Sequence, residues 1–152
     1  MAHPDRYSIL RVILHWITGE SMGDLAEIGA EAAEQGATVA TGTPPHAIIG
    51  LAVLALVALR LIVRGLSGVP APLPAPAWQQ AASTWAHRAP YALMILVPVS
   101  GMMAFFGGVE PAGDAHGVLF NLLLVIAGVH AAAALVHHFV QRNRSLMRML
   151  GR

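Results

Sequence analysis

HGVLFNLLLVIAGVH, residues 116–130, places a histidine at each end of thirteen residues, none of them charged. On an α-helix, at about 100° and 1.5 Å per residue, that step of fourteen turns through about 1400°, about 40° short of four full turns, and climbs about 21 Å. Both imidazoles therefore share one face of one helix at two depths. An ionisable ring in so apolar a segment calls for a function or a partner.

The rest of the chain has the same character. Of its 152 residues 56% are hydrophobic and 11% charged, and the mean hydropathy is +0.62. Those values belong to a membrane protein, in contact with the lipid bilayer, rather than to a soluble globule. All nine basic residues are arginine, the net charge is +1 and the pI is near 8.5, which leaves no electrostatic footprint for nucleic acid. The absence of cysteine excludes disulfides, thiolate metal ligands, Fe–S clusters and covalently attached c-type haem. Eight histidines are the conspicuous surplus. The N-terminal MAHPDRYSILRVILHWI has a basic flank and a short apolar core, but Arg11 and His15 interrupt that core, so it reads as retained structure rather than a signal peptide.

Three segments are long enough to cross a hydrocarbon core of about 30 Å: Pro44 to Arg64, Trp85 to Gly107 with an internal Pro98, and His116 to about Val140. Tyr7 to Ile17 is apolar for only eleven residues and falls short by hydropathy. Charge supplies a further argument. With four crossings, Arg6, Arg11, Arg60, Arg64, Arg88, Arg142, Arg144, Arg148 and Arg152 all lie towards one side, and every acidic residue except Asp5 lies towards the other. The expected fold is thus all-α, an integral membrane four-helix bundle with both termini cytoplasmic and helices near 6–28, 44–65, 85–107 and 116–141. The first helix would carry Glu20, Asp24 and Glu27 into or near the far interface, at a cost. Either it is short and meets a thinned or protein-covered surface, or the chain has lost part of a longer apolar helix.

That topology sets His46 level with His116 at the outer helix ends, and His15, about 12 Å in from the cytoplasmic side, near His130, about 15 Å in. Opposed neutral imidazoles from facing helices can hold a b-type haem iron in six coordination, leaving no open position for oxygen. Two such haems about 20 Å apart would form a path for electrons across the membrane. The plainer alternative is a set of inert, hydrogen-bonded polar residues facing the bundle interior. Zinc is disfavoured, because a structural site gathers four ligands in one place. His3 is expected in a solvated tail, and His137 and His138 at a helix C-terminus where the dipole favours them, with His137 also a substitute ligand by angle. His87 has no matching partner and either lines a quinone pocket or caps an interface. Gly50, Gly101, Gly128 and the run Ala131 to Ala134 would let a flat macrocycle approach, or simply pack helices closely. Arg60 and Arg64 either pair with haem propionates or mark the cytoplasmic interface.

Four pieces of the chain resemble the bacterial dihaem cytochrome b561 family: YSILRVILHWI, PHAIIGLAVLALVALRLIVR, HRAPYALMILVPVSGMM and GVHAAAALVHHFVQRNRSLMRML. The resemblance covers most of the chain and implies one transmembrane cytochrome b domain, 1–152, in the bacterial inner membrane. It implies two haem b groups, with His15 and His130 on the cytoplasmic-side iron and His46 and His116 on the outer iron. It further implies electron exchange with ubiquinone or ubiquinol, superoxide oxidation in some members, and membrane electron carriage to separate partners in others. A second reading is a membrane-anchoring, electron-conducting subunit that docks a separate redox protein through its outer acidic segment or its cytoplasmic arginines. The departure is Thr18 to Thr43, acidic and rich in Gly and Ala where the family has an apolar helix. The oligomeric state is left open, a homodimer among the options, as is a haem-free structural or metal-transport role.

Overall fold

A computed structural model describes residues 8–37, 44–67, 76–142 and 145–150. Four long helices, α1 (Ile9–Glu34), α2 (Pro44–Ser67), α3 (Ala77–Phe105) and α4 (Glu110–Phe139), are followed by a short α5 (Ser145–Met149). His3, Arg6, Arg144 and Arg152 lie outside the described residues. By length and composition three helices can cross a membrane: Pro45–Leu66, Ala77–Phe105 and Glu110–Phe139.

Local chemistry sets the helix ends. The C-terminal half of α1, DLAEIGAEAAE, is rich in the good helix formers Ala, Leu and Glu, so the helix runs to Glu34 rather than stopping near residue 28. Gly36 ends it at φ +76°, where a side chain would strain. The Gly36 N–H donates to the Ala33 carbonyl and the Ala37 N–H to the Ala32 carbonyl, a Schellman closure. Helix α3 begins at Ala77, just after Pro76, rather than near Trp85. Its added turns include Gln79, Gln80, Ser83 and Thr84 and carry the exposed Trp78, which with the exposed Trp85 suits a membrane–water interface. Helix α4 begins at Glu110, ahead of the expected His116, with a proline and an acid in its first turn, both favourable there. Between α3 and α4 the chain reverses through Gly108, at φ +64°.

The helices lie antiparallel to their neighbours in chain order, with the broadest interface between α3 and α4. A Cβ built on Gly29 of α1 would stand 3.5 Å from the His46 ring of α2, and His15 of α1 meets Arg60 of α2. The Trp16 indole donates to the Met149 carbonyl at 2.9 Å, so the start of α1 and the segment after α4 share one end of the bundle. The core of Met22, Leu25, Val53, Val57, Leu93, Met94, Val97 and Leu123 fills the middle of the bundle. On α4 the residues turned inward recur as His116, Phe120, Leu123, Ala127, His130, Ala134 and His137, the alternating four-and-three spacing of a helix seam. The opposite faces expose Ile48 and Ile62 of α2 and Val118, Val125 and Val129 of α4, suitable for lipid.

Helix α1 differs. Glu20, Asp24, Glu27, Glu31 and Glu34 follow the same four-and-three spacing along its exposed face. Glu20, Asp24 and Glu27 lie between the Arg60 and His46 levels of the neighbouring apolar helix. An acidic residue at the centre of a lipid-facing helix costs about 2.5–3.5 kcal/mol, so this face requires water or protein beside it. Replacing Asp24 with Leu is therefore expected to favour insertion of α1 by about 3 kcal/mol, measured as a larger inserted fraction of full-length chain carrying a glycosylation tag beyond Glu34.

Candidate functional site

The antiparallel register gathers the histidines at two levels. At the first, His46 of α2 faces His116 of α4, with ring centres 5.9 Å apart and planes at 73°. His116 Nδ1 lies 2.9 Å from the Val97 carbonyl of α3. A carbonyl can only accept, so Nδ1 carries the proton and Nε2 keeps its lone pair. Phe120, one turn on, stacks on the same ring with centres 6.4 Å apart and planes 5° from parallel. His46 is half-buried, and its Nδ1 is buried without a hydrogen-bond partner. A glycine makes room for the His116 ring. A Cβ on Gly101 would come within 2.9 Å of His116 Nδ1, a clash, while Gly29 lies against His46. Beside the rings is an apolar cleft lined by Met22, Leu25, Gly50, Val53, Met94 and Leu123.

At the second level His15 of α1 faces His130 of α4, with ring centres 6.4 Å apart and planes at 57°. A third ring joins them: His87 of α3 lies 5.3 Å from His130, planes at 65°. The expectation that His87 lacks a partner is thus corrected. The missed signal is a register. Gly101 faces His116, and His87 lies fourteen residues before Gly101 just as His130 lies fourteen after His116, so antiparallel helices must bring His87 and His130 together.

Arg60 distinguishes this level. Its Nη2 lies 3.4 Å from His15 Nδ1, and its guanidinium carbon is 5.4 Å from the centre of the Tyr91 ring. Arginine can only donate, so this long bond makes Nδ1 the acceptor and leaves the proton of a neutral ring on Nε2. His15 is thus in the opposite tautomer to His116. Among the described residues no three histidine or acidic side chains form a group able to hold a metal ion, so His15, His87 and His130 are not a compact three-ligand site. His137 is half-buried near the end of α4; His138 packs edge-on against Phe139, its Nδ1 buried without a hydrogen-bond partner.

Comparison with known proteins places this arrangement. The family model for prokaryotic cytochrome b561 matches residues 6–152. The chain belongs to the prokaryotic cytochrome b561 family. It is 34% identical over 157 residues to cytochrome b562 of Cereibacter sphaeroides, covering 99% of this chain and 98% of that one. It is 27% identical over 173 residues to cytochrome b561 homolog 1 of Escherichia coli K12, covering 97% and 98%. Over 128 residues, 69% of this chain and 72% of the relative, it is 27% identical to a Yersinia pestis protein named "probable superoxide oxidase CybB". No solved structure matches.

The chain is accordingly a membrane b-type cytochrome of electron transfer, and haem b is its implied cofactor. Its residues fit that group. Imidazole nitrogens are suitable iron ligands, His116 already offers a lone pair on Nε2, the buried His46 Nδ1 lacks a partner, and Gly101 stands where a side chain would crowd the His116 ring. The prediction from this geometry concerns Gly101. Gly101→Ala pushes on His116 and is expected to lower haem content per chain, whereas Gly128→Ala, which meets open space on the same helix as His116, leaves it unchanged. A pyridine haemochrome assay of both purified variants measures the difference.

Proposed function

We propose that this cytochrome carries electrons across the bacterial inner membrane through two b haems, one held by His46 and His116 and one by His15 and His130. The supporting observation is the spacing of the ring centres, 5.9 and 6.4 Å. Two imidazoles that held one iron, each by a bond of about 2 Å with the ring centre about 1 Å behind the nitrogen, would have ring centres about 6 Å apart. His87 and His130, at 5.3 Å, are the poorer match, which favours His15 as the opposing ligand. When bound, the haem supplies reversible one-electron exchange at iron, and two histidine ligands leave no open position for oxygen.

The chain's own residues prepare the two places differently. Val97 holds the His116 proton on Nδ1 and aims the ring. Ligation by His15 through Nε2 requires Arg60 to release Nδ1, which frees its guanidinium for a haem propionate. The end bearing Arg60, Arg64, Arg88 and Arg142 also carries Trp16, Trp78 and Trp85, and on the positive-inside rule it is the cytoplasmic one, with α1 as a fourth crossing. Exchange with the quinone pool belongs to this reading, and His87, exposed beside His130, is the side chain best placed to meet a quinone. Superoxide, by likeness to the Yersinia pestis protein's name, is the candidate donor from the outer side. The acidic face of α1 favours a second role, that of an electron-conducting subunit docked to a separate redox protein.

Detergent-solubilised protein is expected to show two low-spin haems per chain by absorbance. His130→Ala should halve the haem content and spare the spectrum of the haem at His46; loss of that haem instead, or a folded but colourless native chain, would refute the pairing. Turnover of quinone with superoxide by the protein reconstituted alone would favour the enzyme, and turnover only with an added redox protein the subunit.

A further inference from the structure

Ser100 and Thr18 are the buried polar residues among those described. Thr18 bonds back to the Leu14 carbonyl of its own helix, at 2.6 Å. Ser100 does something more. Its hydroxyl donates to the Val97 carbonyl at 2.8 Å, the same oxygen that takes the His116 Nδ1 proton at 2.9 Å. In a regular helix that oxygen also receives the N–H of residue 101. A carbonyl oxygen has two lone pairs, so these donors compete, and each one weakens the oxygen as an acceptor for the others.

We propose that Ser100 is a positioning residue for His116: by sharing the Val97 carbonyl it limits how strongly that oxygen draws on the Nδ1 proton, and so limits the electron-donating power of the ring at Nε2. The role rests on the reading of His116 as an axial ligand of the outer haem. A ligating histidine whose distal N–H is held more tightly becomes more basic, and a more basic ligand favours oxidised iron. Removing the hydroxyl therefore strengthens the bond between His116 and Val97 and lowers the midpoint potential of that haem. Gly101 keeps the ring close enough for the competition to operate, since any Cβ there would displace it.

The test uses full-length, haem-loaded protein in detergent, titrated potentiometrically while both haems are followed in the visible spectrum. The outer haem is identified by its loss in His116→Ala. Ser100→Ala is expected to lower the outer potential and leave the inner one unchanged, and Ser100→Thr, which restores a hydroxyl, to give the native value. An unchanged outer potential in Ser100→Ala, or an equal shift of both haems, overturns the role. If Ser100→Ala does not load the outer haem, Ser100→Cys replaces it: its weaker donor should lower the potential part of the way, and a native value overturns the proposal. Retention of both haems by His116→Ala overturns the ligand assignment itself and this role with it, whereas a null result for Ser100 with one haem lost in His116→Ala overturns the role alone.

Discussion

The hydrogen bond from His116 to the Val97 carbonyl ties α4 to α3 at a depth where little else can. In lipid, helices gain little by hiding leucine from a solvent as apolar as leucine, so close packing and interhelical polar contacts must set their register. Here they do so at two heights. His15 and Gly29, His46 and Arg60, Gly101 and His87, and His116 and His130 are each fourteen residues apart on their own helices, about 21 Å of rise. One height gathers Gly29, His46, Gly101 and His116, and the other His15, Arg60, His87 and His130. A slip of one residue in any helix would swing its contributor about 100° out of both layers at once.

Much of this was legible in the sequence because an α-helix converts spacing into direction. The step from His116 to His130 placed both rings on one face, and the sign of the charges indicated which ends to group. The pairings His46 with His116 and His15 with His130 followed, and those rings are adjacent in the structure. His87 was not found because the apolar stretch starts close to it. Judged by hydropathy it stood at the rim of a helix, yet α3 extends back to Ala77 in polar residues that a search for apolar runs ignores.

Helix α1 was legible from the charge distribution but not from hydropathy, for a related reason. Hydropathy averages a window around the whole circumference, and α1 carries Thr18, Met22 and Leu25 on one face and Glu20, Asp24 and Glu27 on another. The average describes neither face. Read by four-and-three spacing, the acidic residues fall on a single line, and the residues beyond 28 become the C-terminal end of a helix packed on α2. What the spacing cannot supply is the material opposite that line, because the chain's own described arginines lie towards the other end of the bundle.

The two levels are unequal, and the inequality matters for a carrier of single electrons. At the His46 level the rings stand among Met, Leu and Val with a backbone carbonyl as the polar partner of His116, and no charged side chain reaches them among the described contacts. At the His15 level Arg60 contributes a full positive charge, held over Tyr91 within bonding distance of an imidazole. Redox centres respond to just these variables, ligand hydrogen bonding, burial and nearby charge. On the proposed reading Arg60 serves the His15 level as the partner of a haem propionate, and no charged side chain among the described contacts does so at the His46 level. The same fourteen-residue spacing that puts two similar histidine pairs in one bundle therefore puts them in dissimilar surroundings, so that on the proposed reading two haems with the same ligand type would differ in their electrostatic setting.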